Sequence, residues 1–124
     1  MHRALLVLAL LVSLSACSSL QRMPRQDFFV LFFVPDTIEL APEAQQIVRQ
    51  AAANAKDGGF SKIDIAVPGD APGNADLVEG RFTAIQNILS ASGIDPKLFE
   101  HARLSDTATN LPGAANRAEI KLLR

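Results

Sequence analysis

Two opposite charges stand out in "VPGDAPGNADLVEGR", residues 67 to 81. Asp70 lies in a turn-forming stretch, and Arg81 follows inside a helical pattern. A turn carboxylate can take a cation, and an arginine can clamp an oxyanion through two parallel hydrogen bonds. The same residues also fit a plain alternative. Pro-Gly-Asp and Ala-Pro-Gly-Asn are turn formers selected for backbone angles, and Arg81 with Asp76 and Glu79 fits a solvated helix face. Residue types alone leave both readings open.

The rest of the chain offers little for catalysis. After the first segment the one histidine is His101, and Cys17 is the single cysteine of the chain. There is no G-x-S-x-G, no HExxH and no histidine pair at metal-ligand spacing. An enzyme is not expected, and no cofactor is implied. Twelve Lys and Arg stand against 13 Asp and Glu. The basic residues are dispersed, so nucleic acid is not expected as a partner.

The elements that must position Asp70 and Arg81 can be read in order. Phe28 to Val34, "FFVLFFV", is aromatic and β-branched, and predicts a strand buried on both faces and central in a sheet. Pro42 and Glu43 open a helix, with Ala41 at a poorly capped N-terminus. Its apolar stripe is Ala44, Ile47, Val48, Ala51 and Ala55, and Gly58-Gly59 stops it. Lys62 to Val67 alternates, with Ile63, Ile65 and Val67 on one side, and predicts a strand with one covered face. A second helix runs from Ala75 to Ser92 with Val78, Phe82, Ile85, Ile88 and Leu89 on one face, ended by Gly93. Arg81 falls at the border of that face, where its stem is buried and its head reaches water. Lys97 to Leu104 is a weaker strand, and Ile120, Leu122 and Leu123 mark the last one. Two amphipathic helices require a sheet to cover. The expected class is α/β, a two-layer sandwich in β-α-β-α-β-β order with two helices packed on one mixed sheet.

The front end has its own logic. Arg3 precedes an uninterrupted apolar run, Ala4 to Val12, too short to span a bilayer but suited to the core of an export signal. Leu14-Ser15-Ala16-Cys17 follows and resembles the lipobox of bacterial lipoproteins. The resemblance implies cleavage before Cys17 and acylation of that residue. A lone cysteine in an exported chain fits this, and several acyl chains anchor stably where one does not. Ser18 after the cysteine favours, by the same resemblance, sorting to an outer membrane. Residues 1–16 are then a signal peptide and 17–27 a lipidated tether. The ten residues from Ser18 to Asp27 reach at most about 35 Å. The folded domain is 28–124.

Over that domain the chain resembles the OmpA-like peptidoglycan-binding domain of the peptidoglycan-associated lipoprotein type. "IELAPEAQQIV" is similar to the family's L-T-P-E-A-Q helix start. "IDIAVPGDAPG" is similar to its strand and G-H-T-D-x-x-G turn, with Asp70 on the motif aspartate and Gly73 on the motif glycine. "NADLVEGRF" is similar to N-x-x-L-S-x-R-R-A, with Asn74, Leu77 and Arg81 in register. "NRAEIKLLR" is similar to the closing N-R-R-V-E-I, with Arg117 on its arginine. The resemblance implies non-covalent binding of peptidoglycan through the diaminopimelate of the stem peptide. Asp70 would take the ammonium of its free end, Arg81 the carboxylate, and Gly73, Asn74 and Arg117 would complete the site. It places the protein at the outer membrane, lipid-anchored and facing the periplasm, with other envelope proteins as possible partners. The chain departs from the pattern in several places. Gly73 runs straight into Asn74, Gly80 stands where the family has the first arginine of its pair, and Val78 stands for the motif serine. A domain that keeps the fold but has lost the ligand site would be a structural or protein-interaction module in the envelope.

Overall fold

The computed structural model describes residues 26–68, 75–104 and 111–124. Its element order is β1 (Phe28–Phe32), α1 (Pro42–Gly58), β2 (Lys62–Ala66), α2 (Ala75–Ala91), β3 (Phe99–Ala102) and β4 (Arg117–Leu123). The expected class and order hold. The four strands form one mixed sheet in the order β1-β4-β2-β3. β2 and β3 run parallel through the α2 crossover, while β4 is antiparallel to both of its neighbours, β1 and β2.

Helix α1 starts where Pro42 supplies a preset φ, and Glu43 sits in its first turn. It ends at Gly59, which adopts a left-handed φ of 65°, as a residue without Cβ does at little cost. Ala44, Val48, Ala51, Ala52 and Ala55 are buried. These small side chains let α1 lie close on the sheet. Ala41 is the N-cap and its side chain makes no capping bond. Ala41→Ser is therefore expected to raise stability by about 1 kcal/mol, seen as a higher denaturation midpoint at unchanged cooperativity. No shift in the midpoint would contradict this.

The core lies between the helices and one face of the sheet. Phe29 and Leu31 of β1, Ile63 and Ile65 of β2, and Ala118, Ile120 and Leu122 of β4 all point into it. Val48, Ile85 and Leu89 meet them from the helices. Strand alternation explains this choice, because every second residue faces the same way. In β2 the outward Ala66 is also buried.

The expectation for β1 needs correcting. Among the described residues it is an edge strand, paired only to β4, and only one of its faces is buried. Phe28 and Phe32 are 42% and 48% exposed. An all-apolar strand reads as doubly buried, but exposed apolar residues are ordinary on protein surfaces. The weak strand expected over 97–104 is the short β3, entered through a 3-10 turn at Pro96–Leu98. Asp95 caps that turn by accepting from Lys97 N–H at 3.0 Å.

Candidate functional site

Arg81 lies in the first half of α2, in line with Ile85 and Leu89 at four-residue spacing, and all three are buried. Its side chain is 1% exposed. The sequence placed its charged head in water, and the structure corrects this: the head is inside. Its neighbours explain how a charge can sit there. Nε donates to the Thr37 carbonyl at 2.8 Å. One terminal nitrogen donates to the Ala115 carbonyl at 2.9 Å, and the other to Asn116 Oδ1 at 3.0 Å. The guanidinium carbon lies 4.8 Å from the centre of the Phe33 ring, a cation–π distance.

Two loops deliver these acceptors. The turn after β1 carries Thr37, and it is shaped by Asp36, which holds a left-handed φ of 59°. Aspartate tolerates that conformation better than most residues. Thr37 N–H and Oγ1 both donate to the Val34 carbonyl, at 3.1 and 2.9 Å. The other acceptors come from the 3-10 turn Ala114–Asn116, which leads directly into β4. Arg81 thus joins α2 to the end of β1 and the start of β4.

Electrostatics sharpen the description. Burial lowers the Arg81 pKa from its ordinary value, and the nearby charge of Asp36 acts in the opposite direction. Arginine nevertheless stays charged. Among the described residues no carboxylate forms an ion pair with it. The cation is held by neutral oxygens only. A further N–H on each terminal nitrogen has no acceptor among the described residues.

A Cβ at Gly80 would meet Ile38 Cγ2 at 2.7 Å, so a larger residue there requires Ile38, on the turn that also carries Thr37, to shift.

Asp70, Gly73 and Asn74 lie outside the described residues, as does Cys17. Arg117 is described but is not brought to Arg81. It alternates with Ala118 on β4 and so points to the face of the sheet away from the helices. There it pairs with Glu119 at 3.1 Å. The same face carries Lys62 between Asp64 and Glu100, at 3.5 and 2.8 Å. The hydrogen bond to Glu100 is the main cause that raises the Lys62 pKa. A cavity of about 240 Å³ also opens there, lined in part by Asp64, Arg103, Glu119 and Lys121. Its mixed charges do not suit a metal, and among the described residues no group of three metal-ligating side chains occurs.

Sequence reasoning missed Thr37, Ala115 and Asn116 as partners of Arg81. Asn116 had a signal, the Asn-Arg pair that opens β4. The other two act through backbone carbonyls, for which side-chain type gives no signal.

Comparison with known proteins places this geometry. Neither a protein-family model nor a curated protein matches the chain. Solved structures do. The OmpA-like domain of FopA1 from Francisella tularensis superposes with a TM-score of 0.60 at 16% identity, over 77% of this chain and 73% of that one. The peptidoglycan-associated lipoprotein from Burkholderia pseudomallei gives 0.56 at 23% identity, over 77% and 88%. The cell wall anchor of the type VI secretion system (T6SS) from Pseudomonas aeruginosa gives 0.55 at 17%, over 78% and 82%. The fold is OmpA-like. Among the described residues no helix is long and apolar enough to cross a membrane.

Proposed function

We propose that this chain is a lipid-anchored envelope protein that binds peptidoglycan non-covalently through the diaminopimelate of the stem peptide. Cys17 carries the lipid, at an outer membrane, and the domain faces the periplasm. Asp70 takes the ammonium of the ligand's free end and Arg81 its carboxylate, with the Gly73-Asn74 turn supplying backbone donors at the start of α2. The OmpA-like fold supports the class of ligand, since two of its neighbours are a peptidoglycan-associated lipoprotein and a cell wall anchor. The observation that carries the reading is the Arg81 cation. It is buried and held by neutral oxygens, without an ion-pair partner among the described residues. Burying a charge without an ion-pair partner is costly, and a ligand carboxylate would supply one beside the more distant charge of Asp36. No reaction follows from this site. It is a clamp for a zwitterion.

Wall chemistry provides the test. Lysine in place of diaminopimelate keeps the ammonium and removes the carboxylate. The full chain in mild detergent is expected to bind diaminopimelate-type sacculi about tenfold or more tightly than lysine-type walls, the loss of one charge-assisted clamp. Equal affinity for both would overturn the Arg81 role.

A second reading has its own observation. Arg81 is almost fully enclosed, and its three bonds go to the chain itself. That is the arrangement of an internal tie. A domain using Arg81 only in this way would be a structural or protein-interaction module, and it would bind neither wall.

A further inference from the structure

The open edge of the sheet is β1, and its backbone pattern is specific. Leu122 N–H donates to the Asp27 carbonyl and Phe33 N–H to the Asn116 carbonyl, both at 2.8 Å. Antiparallel pairing alternates, so the odd-numbered residues from 27 to 33 turn their backbone toward β4. Phe28, Val30 and Phe32 turn theirs outward. Beyond Phe32 the edge is closed, because Val34 N–H donates to the Glu39 carbonyl at 3.0 Å and Phe33 bridges to Leu40. Among the described residues the free edge is therefore Phe28 to Phe32. It carries no charge, and Phe28 and Phe32 are 42% and 48% exposed. The opposite edge, β3, is defended by contrast. It is four residues long, and its Glu100 is paired to Lys62 at 2.8 Å. Short, charged edges resist pairing, and uncharged apolar ones invite it.

The geometry points to a second copy of this chain as the occupant: two β1 strands pair antiparallel about a two-fold axis at Val30, making one continuous eight-stranded sheet. This register spans Phe28 to Phe32 and uses the three outward-facing residues, Phe28, Val30 and Phe32, of each copy. It sets Phe28 opposite Phe32 of the second copy, twice, as hydrogen-bonded pairs with both rings on the helix-free face. Cross-strand aromatic pairs stabilise such contacts. The absence of charge means that nothing repels across the axis, and a two-fold contact closes on itself. Strand length allows it as well. Each β1 spans about 17 Å, so two tethers of about 35 Å leaving opposite ends can reach one membrane.

The test compares two double variants by sedimentation of the full chain in detergent, corrected for micelle mass. Phe28→Lys with Phe32→Lys sets lysine against lysine at both pairs. Phe28→Lys with Phe32→Glu removes the same rings but sets lysine against glutamate. The unaltered chain is expected to be a dimer, the lysine–lysine variant a monomer, and the lysine–glutamate variant to dimerise at least about tenfold more tightly than the lysine–lysine one. Both substituted positions are exposed, and matching melting curves confirm that each variant is folded. An unaltered chain that stays monomeric at about 100 μM would overturn the proposal. So would two variants with the same dimer affinity.

Discussion

Arg81→Ala is expected to lower the unfolding free energy by about 3 kcal/mol. The substitution strips partners from the Thr37 and Ala115 carbonyls and from Asn116 Oδ1. The three bonds are part-buried, and an acceptor left without a donor where water cannot reach it costs about 1–3 kcal/mol. Removing the buried charge itself offsets part of that loss, because the desolvation of the guanidinium disappears with it. Arg81→Lys keeps the charge but not the fork, so it cannot reach three acceptors lying in different directions. About half the loss is expected to remain. Urea denaturation of the full chain in detergent, followed by circular dichroism, reads both values. A loss below about 1 kcal/mol for Arg81→Ala would mean that the three bonds do not tie the loops together.

Asp70→Ala is expected to separate binding from stability. Losing a carboxylate that takes an ammonium removes a charge-assisted hydrogen bond of about 1.5–3 kcal/mol, which is about 10- to 100-fold in affinity for a diaminopimelate stem peptide. Asp70 stands in a turn-forming Pro-Gly-Asp sequence, and its substitution is expected to change stability by no more than about 0.5 kcal/mol. Arg81 variants are expected to lose stability and binding together, and the Asp70 variant binding alone. Titration of a soluble stem peptide, read by calorimetry beside a melting curve, checks both halves. An Asp70→Ala chain with unchanged affinity would remove Asp70 from the site.

Much of the fold was legible because its signals are local. Pro42 and Gly59 bracket α1 through backbone angles, which each residue type carries by itself. The alternation of Ile63 and Ile65 gives β2 its covered face, and Gly93 marks the turn that follows α2. What failed depended on neighbours distant in sequence. "FFVLFFV" contains no alternation, so its pattern cannot tell an edge strand from a central one. β4 takes the central place because it pairs on both sides, with β1 and β2, and this is a property of the topology rather than of "RAEIKLL". The misplacement of Arg81 has a similar cause. A helix face drawn through apolar residues alone leaves an arginine at its border. The structure draws the face through Arg81, Ile85 and Leu89, because loops from opposite ends of the chain bring oxygens to the guanidinium. Two of those oxygens are backbone carbonyls, present at every residue and informative at none. The candidate ligand residues were legible only through family resemblance. Of these, Arg117 points to the other face of the sheet.

The most direct measurement is co-sedimentation of the unaltered full chain, in mild detergent, with purified diaminopimelate-type sacculi. Saturable binding is expected, abolished by Asp70→Ala while the variant remains folded. A chain that stays in the supernatant, or that pellets equally well with and without Asp70, would contradict it.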